Sequence, residues 1–178
     1  MKNVFKIGFI FLLVSCTNEI ELNKTVERNG LVYEINNTTS YTGIVFSYHE
    51  NGQIKSKEIY KDGLKSGVNE YFYSNGQVKQ ISNFFEGVLQ DGQHTQYFKD
   101  GKISKTWTLQ DGKLESIEEI FHENGQLETR KNYLSGELEG VYEQYNEDGT
   151  LDVTGTIKEG LETNYKLYSY HDNGEIRY

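Results

Sequence analysis

The segment Gly67-Val68-Asn69-Glu70-Tyr71-Phe72-Tyr73-Ser74-Asn75-Gly76-Gln77-Val78 is one copy of a unit that recurs along most of the chain. Its Asn-Gly pair returns as Asn-Gly or Asp-Gly every 24 or 25 residues. The repeat-turn glycines are Gly52, Gly76, Gly101, Gly125, Gly149 and Gly174. A fixed period in this range indicates a repeat architecture, here of about six copies. Positions below are counted from these glycines.

Three apolar columns accompany the turn glycines. Position −4 is aromatic in every copy: Tyr48, Phe72, Tyr97, Phe121, Tyr145 and Tyr170. Position +2 is aliphatic in every copy: Ile54, Val78, Ile103, Leu127, Leu151 and Ile176. Position +8 holds Tyr60, Phe84, Leu109, Tyr133 and Ile157. Even offsets keep side chains on one face of a strand, so the columns predict strands that share one apolar core face.

Glycine also marks the other end of each copy. A second glycine follows the first by eleven residues in five copies, as in Lys61-Asp62-Gly63, and a third precedes it by nine residues in four copies. Asn-Gly and Asp-Gly between alternating runs predict hairpins with type I′ turns. The chain contains no Pro, which would remove donors from a β-ladder. We therefore predict an all-β fold, an elongated antiparallel meander of about six tandem β-hairpins with twelve short strands.

These copies resemble the bacterial MORN-repeat variant found in YwqK-like antitoxin proteins. The segment from Gly67 to Val78 carries the resemblance, and Arg28-Asn29-Gly30-Leu31-Val32-Tyr33 resembles the opening segment of that family. The resemblance covers roughly residues 27–178 and implies a role in neutralising a toxin. Copy three departs from the pattern, with Gln93 and Thr95 in place of apolar strand residues.

The first sixteen residues are typical of an export signal. Lys2 and Lys6 form a positive start, an apolar stretch runs from Val4 to Val14, and Leu13-Val14-Ser15-Cys16 resembles the lipobox of bacterial lipoproteins. The stretch is shorter than the roughly 20 residues that span a bilayer. We predict a signal peptide over 1–15, lipidation at Cys16, a linker over 16–26 and a repeat domain over 27–178. A cleaved ordinary signal and an uncleaved N-terminal helix are the alternatives.

Charge and cysteine content limit the classes of partner. The formal charge is −9, and removal of residues 1–15, which carry two lysines and no acid, takes it to −11. Such a chain is a poor match for nucleic acid, whose phosphates need a basic surface. Anionic headgroups repel it, so a lipid anchor would have to hold it at the membrane. Thr17 follows Cys16, where an Asp would favour the inner membrane in enterobacteria. We therefore expect the outer membrane of the cell envelope.

No residue pattern indicates catalysis, a metal or a cofactor, and we expect a non-enzyme. His49, His122 and His171 share position −3, but their copies are too far apart to ligate one zinc ion. Acidic pairs such as Glu118-Glu119 and Glu137 with Glu139 are typical of a solvated face. Aromatic residues outside the three columns indicate either a second packed face or a partner-binding stripe. They are Tyr73, Phe85, Phe98, Trp107 and Tyr168.

Three functional hypotheses follow. The first is a non-catalytic, envelope-anchored lipoprotein whose repeat sheet binds a protein. The second is a toxin-neutralising or immunity protein, although an exported lipoprotein could not reach a cytoplasmic toxin. The third is a glycan-binding module. The sequence leaves open the identity of the protein partner, the membrane face it occupies and the oligomeric state.

Overall fold

A computed structural model describes residues 18–159, 161–170 and 176–177. It contains nineteen strands and one short 3₁₀ helix, η1, over Leu22–Lys24. The strands are β1 (Glu19–Glu21), β2 (Thr25–Arg28), β3 (Leu31–Glu34), β4 (Gly43–Tyr48), β5 (Ile54–Lys61), β6 (Leu64–Lys65), β7 (Gly67–Phe72), β8 (Val78–Phe85), β9 (Val88–Leu89), β10 (Gly92–Tyr97), β11 (Ile103–Gln110), β12 (Lys113–Leu114), β13 (Ser116–Phe121), β14 (Leu127–Leu134), β15 (Glu137–Tyr145), β16 (Leu151–Lys158), β17 (Leu161–Leu167), β18 (Ser169–Tyr170) and β19 (Ile176–Arg177).

One large sheet follows the chain in sequence order. Its path is β1-β4-β5-β7-β8-β10-β11-β13-β14-β15-β16-β17, and β6, β9 and β12 pair at its side with β5, β8 and β11. Every pairing from β4 to β17 is antiparallel, whereas β1 joins β4 in parallel. The prediction of an all-β antiparallel meander of tandem hairpins is confirmed.

The N-terminal end of the sheet is covered by the segment before the first repeat. Glu19–Glu21 pairs with β4, and β2 and β3 form a separate hairpin closed at Asn29-Gly30. That hairpin is tied to the first repeat by the Val32 amide, which donates to the Gly63 carbonyl at 2.9 Å. Part of the segment predicted as linker is therefore regular structure packed on the sheet.

The Asn-Gly and Asp-Gly corners are not type I′ turns. In the first copy Gly52 has a φ of 82°, Asn51 is not among the positive-φ residues, and the Gly52 amide donates to the His49 carbonyl at 2.9 Å. This is a type I turn that ends in a left-handed glycine. The Asn51 side chain accepts the Gln53 amide at 3.2 Å. An Asn or Asp is therefore selected here as a side-chain acceptor, because the position does not require a positive φ.

Type I′ turns lie at the opposite ends of the hairpins. Asp62 and Gly63 have φ values of 52° and 81°, and Lys61 pairs directly with Leu64 across them. The same pair of positive values recurs at Glu86-Gly87, Asp111-Gly112 and Ser135-Gly136. The sequence-based prediction assigned the right turn type to the wrong end of each copy.

A β-bulge in each hairpin breaks the predicted common face. In copy three, Gln96 pairs with Lys105 and the adjacent Tyr97 pairs with Ile103, so Ser104 is the extra residue. Neighbouring residues of a strand point to opposite faces, so Tyr97 points away from the face that Gln96 and Lys105 share. The side chains at positions −4 and +2 therefore lie on one face of the sheet, and the side chain at position +8 lies on the other. We call the face with position +8 the inner face and the other the outer face. The prediction that all three columns share a face is wrong.

Exposure agrees with this correction. Tyr48, Ile54 and Ile103, which were predicted as core, are 48%, 40% and 43% exposed. Phe72, Tyr97, Phe121, Tyr145, Val78, Leu127 and Leu151, also predicted as core, are only partly buried. The backbone of Tyr170 and Ile176 pairs in β18–β19, and nothing further is described for their side chains.

Most buried side chains lie on the inner face at positions −7, +4 and +6. Val45, Asn69, His94 and Glu118 occupy position −7 in four successive copies. Tyr41, Val45 and Tyr60 form the apolar cluster beside the N-terminal end, with Ile20 and Val32 against it. Most other buried side chains are polar and paired, so the interior of this single-layer sheet is largely a hydrogen-bonded one.

Candidate functional site: the outer stripe

The outer face carries a continuous row of apolar side chains. In each hairpin, positions −4 and +2 form the cross-strand pair nearest the Asn/Asp-Gly turn. We call these pairs the outer stripe. Its described members are Tyr48–Ile54, Phe72–Val78, Tyr97–Ile103, Phe121–Leu127 and Tyr145–Leu151. One aromatic and one aliphatic side chain thus recur at each copy, about every 9.6 Å for two strands.

Ion pairs border the outer stripe and confirm which face it occupies. Arg130 contacts Glu119 at 2.9 Å and Glu143 at 3.3 Å, all three from positions −6 and +5. Burial, a hydrogen bond to Glu143 and the charge of that carboxylate raise the pKa of Tyr145. The Tyr145 ring therefore lies on the face that carries Glu143. Lys57 and Glu70 form a similar pair, 3.3 Å apart, in the N-terminal half.

A second apolar row lies beyond these charges. Val68, Ile117 and Val141 occupy position −8, and each is exposed. Ile81 at position +5 is exposed as well. The sheet path contains all long strands between residues 43 and 167, and at its N-terminal end Leu22 of η1 lies beside the outer face, where it lines a cleft with Phe46 and Tyr48. Apolar and ion-paired rows therefore alternate across the outer face.

Position −3 connects consecutive copies. The His49 imidazole hydrogen-bonds the Phe72 carbonyl at 2.9 Å, and His122 does the same to the Tyr145 carbonyl at 2.9 Å. Tyr73 occupies this position in copy two and donates to the Tyr97 carbonyl at 2.8 Å. These side chains are half-buried connectors between copies rather than exposed residues beside a turn, and His171 lies outside the described residues.

The asparagines of the turns form a second set of connections. The Asn51 amide donates to the Ser74 carbonyl at 2.7 Å, and Asn75 donates to the Lys99 carbonyl at 2.9 Å. Copy three has Asp100 in place of the asparagine, and a carboxylate cannot donate this hydrogen bond. The Lys102 ammonium instead donates to the Glu123 carbonyl of the next copy at 2.9 Å. The turn glycines Gly52, Gly76, Gly101, Gly125 and Gly149 all have positive φ, and Gly174 lies outside the described residues.

The acidic pairs hold structure rather than a shared cleft. Glu118 contacts Lys105 at 2.5 Å on the inner face, while Glu119 contacts Arg130 on the outer face. Glu139 accepts the Glu159 amide at 2.8 Å and so supports a hairpin turn. Within residues 18–159, 161–170 and 176–177, no three His, Cys, Asp or Glu side chains converge as metal ligands.

The aromatic residues outside the columns do not form one stripe. Trp107 stacks on His94 on the inner face, with the two ring centroids 5.2 Å apart. Phe85 is exposed at a type I′ turn, while Phe98 lines an inner cleft. Tyr168 is held by its backbone amide, which donates to the Asp152 carbonyl at 2.8 Å. The outer stripe is the row that the sequence analysis assigned to the core, because the regular spacing of its turns does not reveal the bulge.

Comparison with known proteins identifies the repeat. The MORN repeat variant matches residues 41–62, 65–85, 114–134 and 138–159. The chain contains four MORN-variant repeats. Residues 86–113, which include Gln93 and Thr95 of copy three, lie between the matched segments, yet they fold as the same hairpin, β10–β11. The repeat geometry therefore extends beyond the segments that the family pattern recognises.

No curated protein matches the chain. Among solved structures, the chain is similar to a Staphylococcus aureus TarM mutant, crystallised with fondaparinux, alpha-GlcNAc-glycerol and UDP. The two share 17% identity over 61% of this chain, with a TM-score of 0.37. The chain spans 21% of the length of that protein.

The predicted signal peptide and Cys16 lie outside the described residues. Among the residues that are described, no helix is long and apolar enough to cross a membrane.

Proposed function

We propose that the protein is a non-catalytic lipoprotein, anchored to the cell envelope at Cys16, whose MORN-variant sheet binds a partner protein. The observation that supports binding is the outer stripe, which carries one aromatic and one aliphatic side chain per repeat; Tyr48, Ile54 and Ile103 are exposed, and its other described members are partly buried. Contiguous exposed apolar surface of this kind marks interaction sites. Aromatic side chains supply much of the energy at such interfaces.

The repeat spacing suits an extended partner surface. A stripe five copies long extends about 48 Å, because each copy adds two strands at about 4.8 Å. The charged rows beside the stripe would set the register of the partner, since paired rim charges contribute specificity more than affinity. Repeat proteins commonly bind through long regular surfaces such as this one.

The binding surface is tested by charge insertion in the stripe. We expect Ile54→Glu with Ile103→Glu to abolish crosslinked co-purification of the partner from the native host, because both side chains are exposed and lie in the stripe. Phe85→Glu is the matched control, since Phe85 is exposed at a hairpin end outside the stripe. Equal recovery of the same partner with all variants would refute the outer stripe as the site.

The anchor is tested separately. In cells given radioactive palmitate, we expect the wild-type chain to take up label and Cys16→Ala to lose it. Two or more acyl chains are needed for stable membrane attachment, so Cys16→Ala should also leave the membrane fraction. Uptake of label by Cys16→Ala would place the modification elsewhere.

A toxin-neutralising role is the second candidate, and the MORN-variant repeats support it through the resemblance to YwqK-like proteins. The crosslinking experiment separates the two, because an antitoxin should recover one dedicated toxin. The recovered partner should then lose its toxicity when mixed with the wild-type chain and keep it with Ile54→Glu/Ile103→Glu.

Glycan binding is the third candidate, and exposed rings such as Tyr48 in the outer stripe favour it. Peptidoglycan fragments should then shift the NMR signals of the Tyr48 ring. Trp107 fluorescence is a poor reporter for this purpose, because Trp107 lies on the inner face beside His94. Unchanged Tyr48 signals at saturating fragment would exclude this candidate.

A further inference from the structure

The residue that each β-bulge inserts changes its charge along the molecule. It lies at position +3, and we call these five residues the bulge row: Lys55, Lys79, Ser104, Glu128 and Asp152. The first two are basic, the central one is neutral and the last two are acidic. The row therefore has a positive N-terminal half and a negative C-terminal half, with its midpoint at copy three.

Four members of the bulge row line clefts on the inner face. Lys55 and Lys79 line a cleft of about 380 Å³ with inner-face residues such as Phe84. Ser104 and Glu128 line a second cleft of about 540 Å³ with Lys105 and Ile120, which are also on that face. The Lys79 ammonium lies 5.8 Å from the centre of the Tyr73 ring. The fifth member, Asp152, occupies the same bulge position in the hairpin of β15 and β16.

Neighbouring charges reinforce the polarity. Lys99 lies 6.0 Å from the Tyr73 ring, beside the positive half. Glu123 and Glu147 line the cleft in the negative half together with Glu128. Glu50, at the first turn, does not follow this separation of signs, and the inner-face charges Glu58 and Lys105 are each neutralised within the chain, by Lys65 and Glu118.

We propose that the bulge row is the dimer interface of this protein, and that its occupant is a second copy of the chain. A two-fold axis through copy three would place Lys55 opposite the second copy's Asp152 and Lys79 opposite its Glu128, while the two Ser104 residues meet at the axis. A two-fold interface must be self-complementary in this way. The row meets that requirement because its sign reverses about its own centre.

The length of the row suits such an interface, since five copies extend about 48 Å. A partner of a single charge sign would be attracted by one half of the row and repelled by the other. Docking of the inner faces would leave the outer stripe free, so this inference does not depend on the proposed function.

The test is sedimentation of the purified protein at low and high ionic strength. We expect a dimer at about 20 mM salt and at least a tenfold weaker dimer at about 500 mM, because salt screens exposed charges. Lys55→Glu/Lys79→Glu should be monomeric, and Glu128→Lys/Asp152→Lys should be monomeric as well. Lys61→Glu/Lys158→Glu is the control of equal charge change, since both lysines are exposed at hairpin ends outside the bulge row, and it should remain dimeric.

Mixing the two monomeric variants makes the test independent of folding defects. One variant has an acidic row and the other a basic row, so the mixture should form a 1:1 heterodimer. A carbodiimide crosslink between Lys79 of one copy and Glu128 of the other should appear in the wild type. A wild-type monomer at low salt, a dimer that survives both charge reversals, or a mixture that stays monomeric would overturn the proposal.

Discussion

Asn69 should be the most sensitive polar residue of the inner face. It is 0% exposed, its side-chain oxygen accepts the Ile59 amide at 2.7 Å, and its NH₂ group donates to the Gly67 carbonyl at 3.0 Å. β5 and β7 pair directly only at Ser56–Tyr71 and Lys57–Glu70. The ladder between β5 and β7 does not extend to Ile59, so the Asn69 side chain provides the hydrogen-bond acceptor for the Ile59 amide.

Replacing Asn69 by Ala leaves the Ile59 amide without its acceptor. A buried unsatisfied group costs about 1–3 kcal/mol, and we expect a loss of about 2 kcal/mol in the free energy of unfolding. Asn83→Ala is the matched control, because Asn83 is exposed on the other face and should change the free energy by less than about 0.5 kcal/mol.

Urea unfolding measures the free energy, and amide hydrogen exchange at Ile59 measures the local effect. Exchange at Ile59 should accelerate in Asn69→Ala and stay unchanged in Asn83→Ala. If Asn69→Ala unfolds at the wild-type midpoint with unchanged Ile59 exchange, the assignment of this hydrogen bond is refuted.

An acid at the same position adds a pH signature. Asn69→Asp keeps an acceptor for Ile59 but buries a carboxylate, and burial raises the pKa of such a group above its unfolded value. The penalty relative to wild type is therefore full at neutral pH. It should decrease as the pH falls through the raised pKa, where the protonated acid can donate to the Gly67 carbonyl. A penalty that grows on acidification would contradict this reasoning.

Three further predictions concern the hairpin ends and the partly buried ion pair between Lys65 and Glu58. Gly63→Ala should destabilise the fold by about 2 kcal/mol or more, because the added Cβ would lie 2.9 Å from Leu31 Cβ. Gly52 has a similar φ but open space around it, so Gly52→Ala should cost only about 1 kcal/mol. Thermal unfolding of the two variants measures the difference. Ser116 has a φ of 67° where four other copies have glycine, so Ser116→Gly should stabilise the fold by about 1 kcal/mol. Ser104→Gly, at a bulge position without a positive φ, should destabilise it, and a lower melting temperature for Ser116→Gly would contradict this reasoning. Burial lowers the pKa of Lys65, but its hydrogen bonds to Glu58 and Tyr71 raise the pKa by more than burial lowers it. The pKa of Lys65 therefore lies above its usual range. The stability from this raised pKa is full below the unfolded pKa of about 10.4 and is lost as the pH rises through the folded value. Lys65→Met should therefore flatten the loss of stability in alkaline urea titrations, and an unchanged slope would argue against the pair.

Local patterns in the sequence were sufficient for the repeat and for its strands. The Asn/Asp-Gly spacing marked each turn, and the columns from Tyr48 to Leu151 marked the paired ends of each hairpin. These features depend on backbone preferences within a few residues, which a single sequence records. The same reasoning placed the type I′ turns at Asn51-Gly52 rather than at Asp62-Gly63, because both pairs share the Asn/Asp-Gly chemistry.

The tertiary structure decided which face each column occupies. One extra residue, such as Ser104 between Ile103 and Lys105, reverses the face of every later side chain in its strand. That insertion is a property of the pairing between two strands, so no periodicity within one strand reveals it. The chain by itself therefore determined that it folds as tandem hairpins, while the bulges of the assembled sheet decided that Tyr97 and Ile103 lie on the outer face and that Lys79 and Glu128 lie on the inner one.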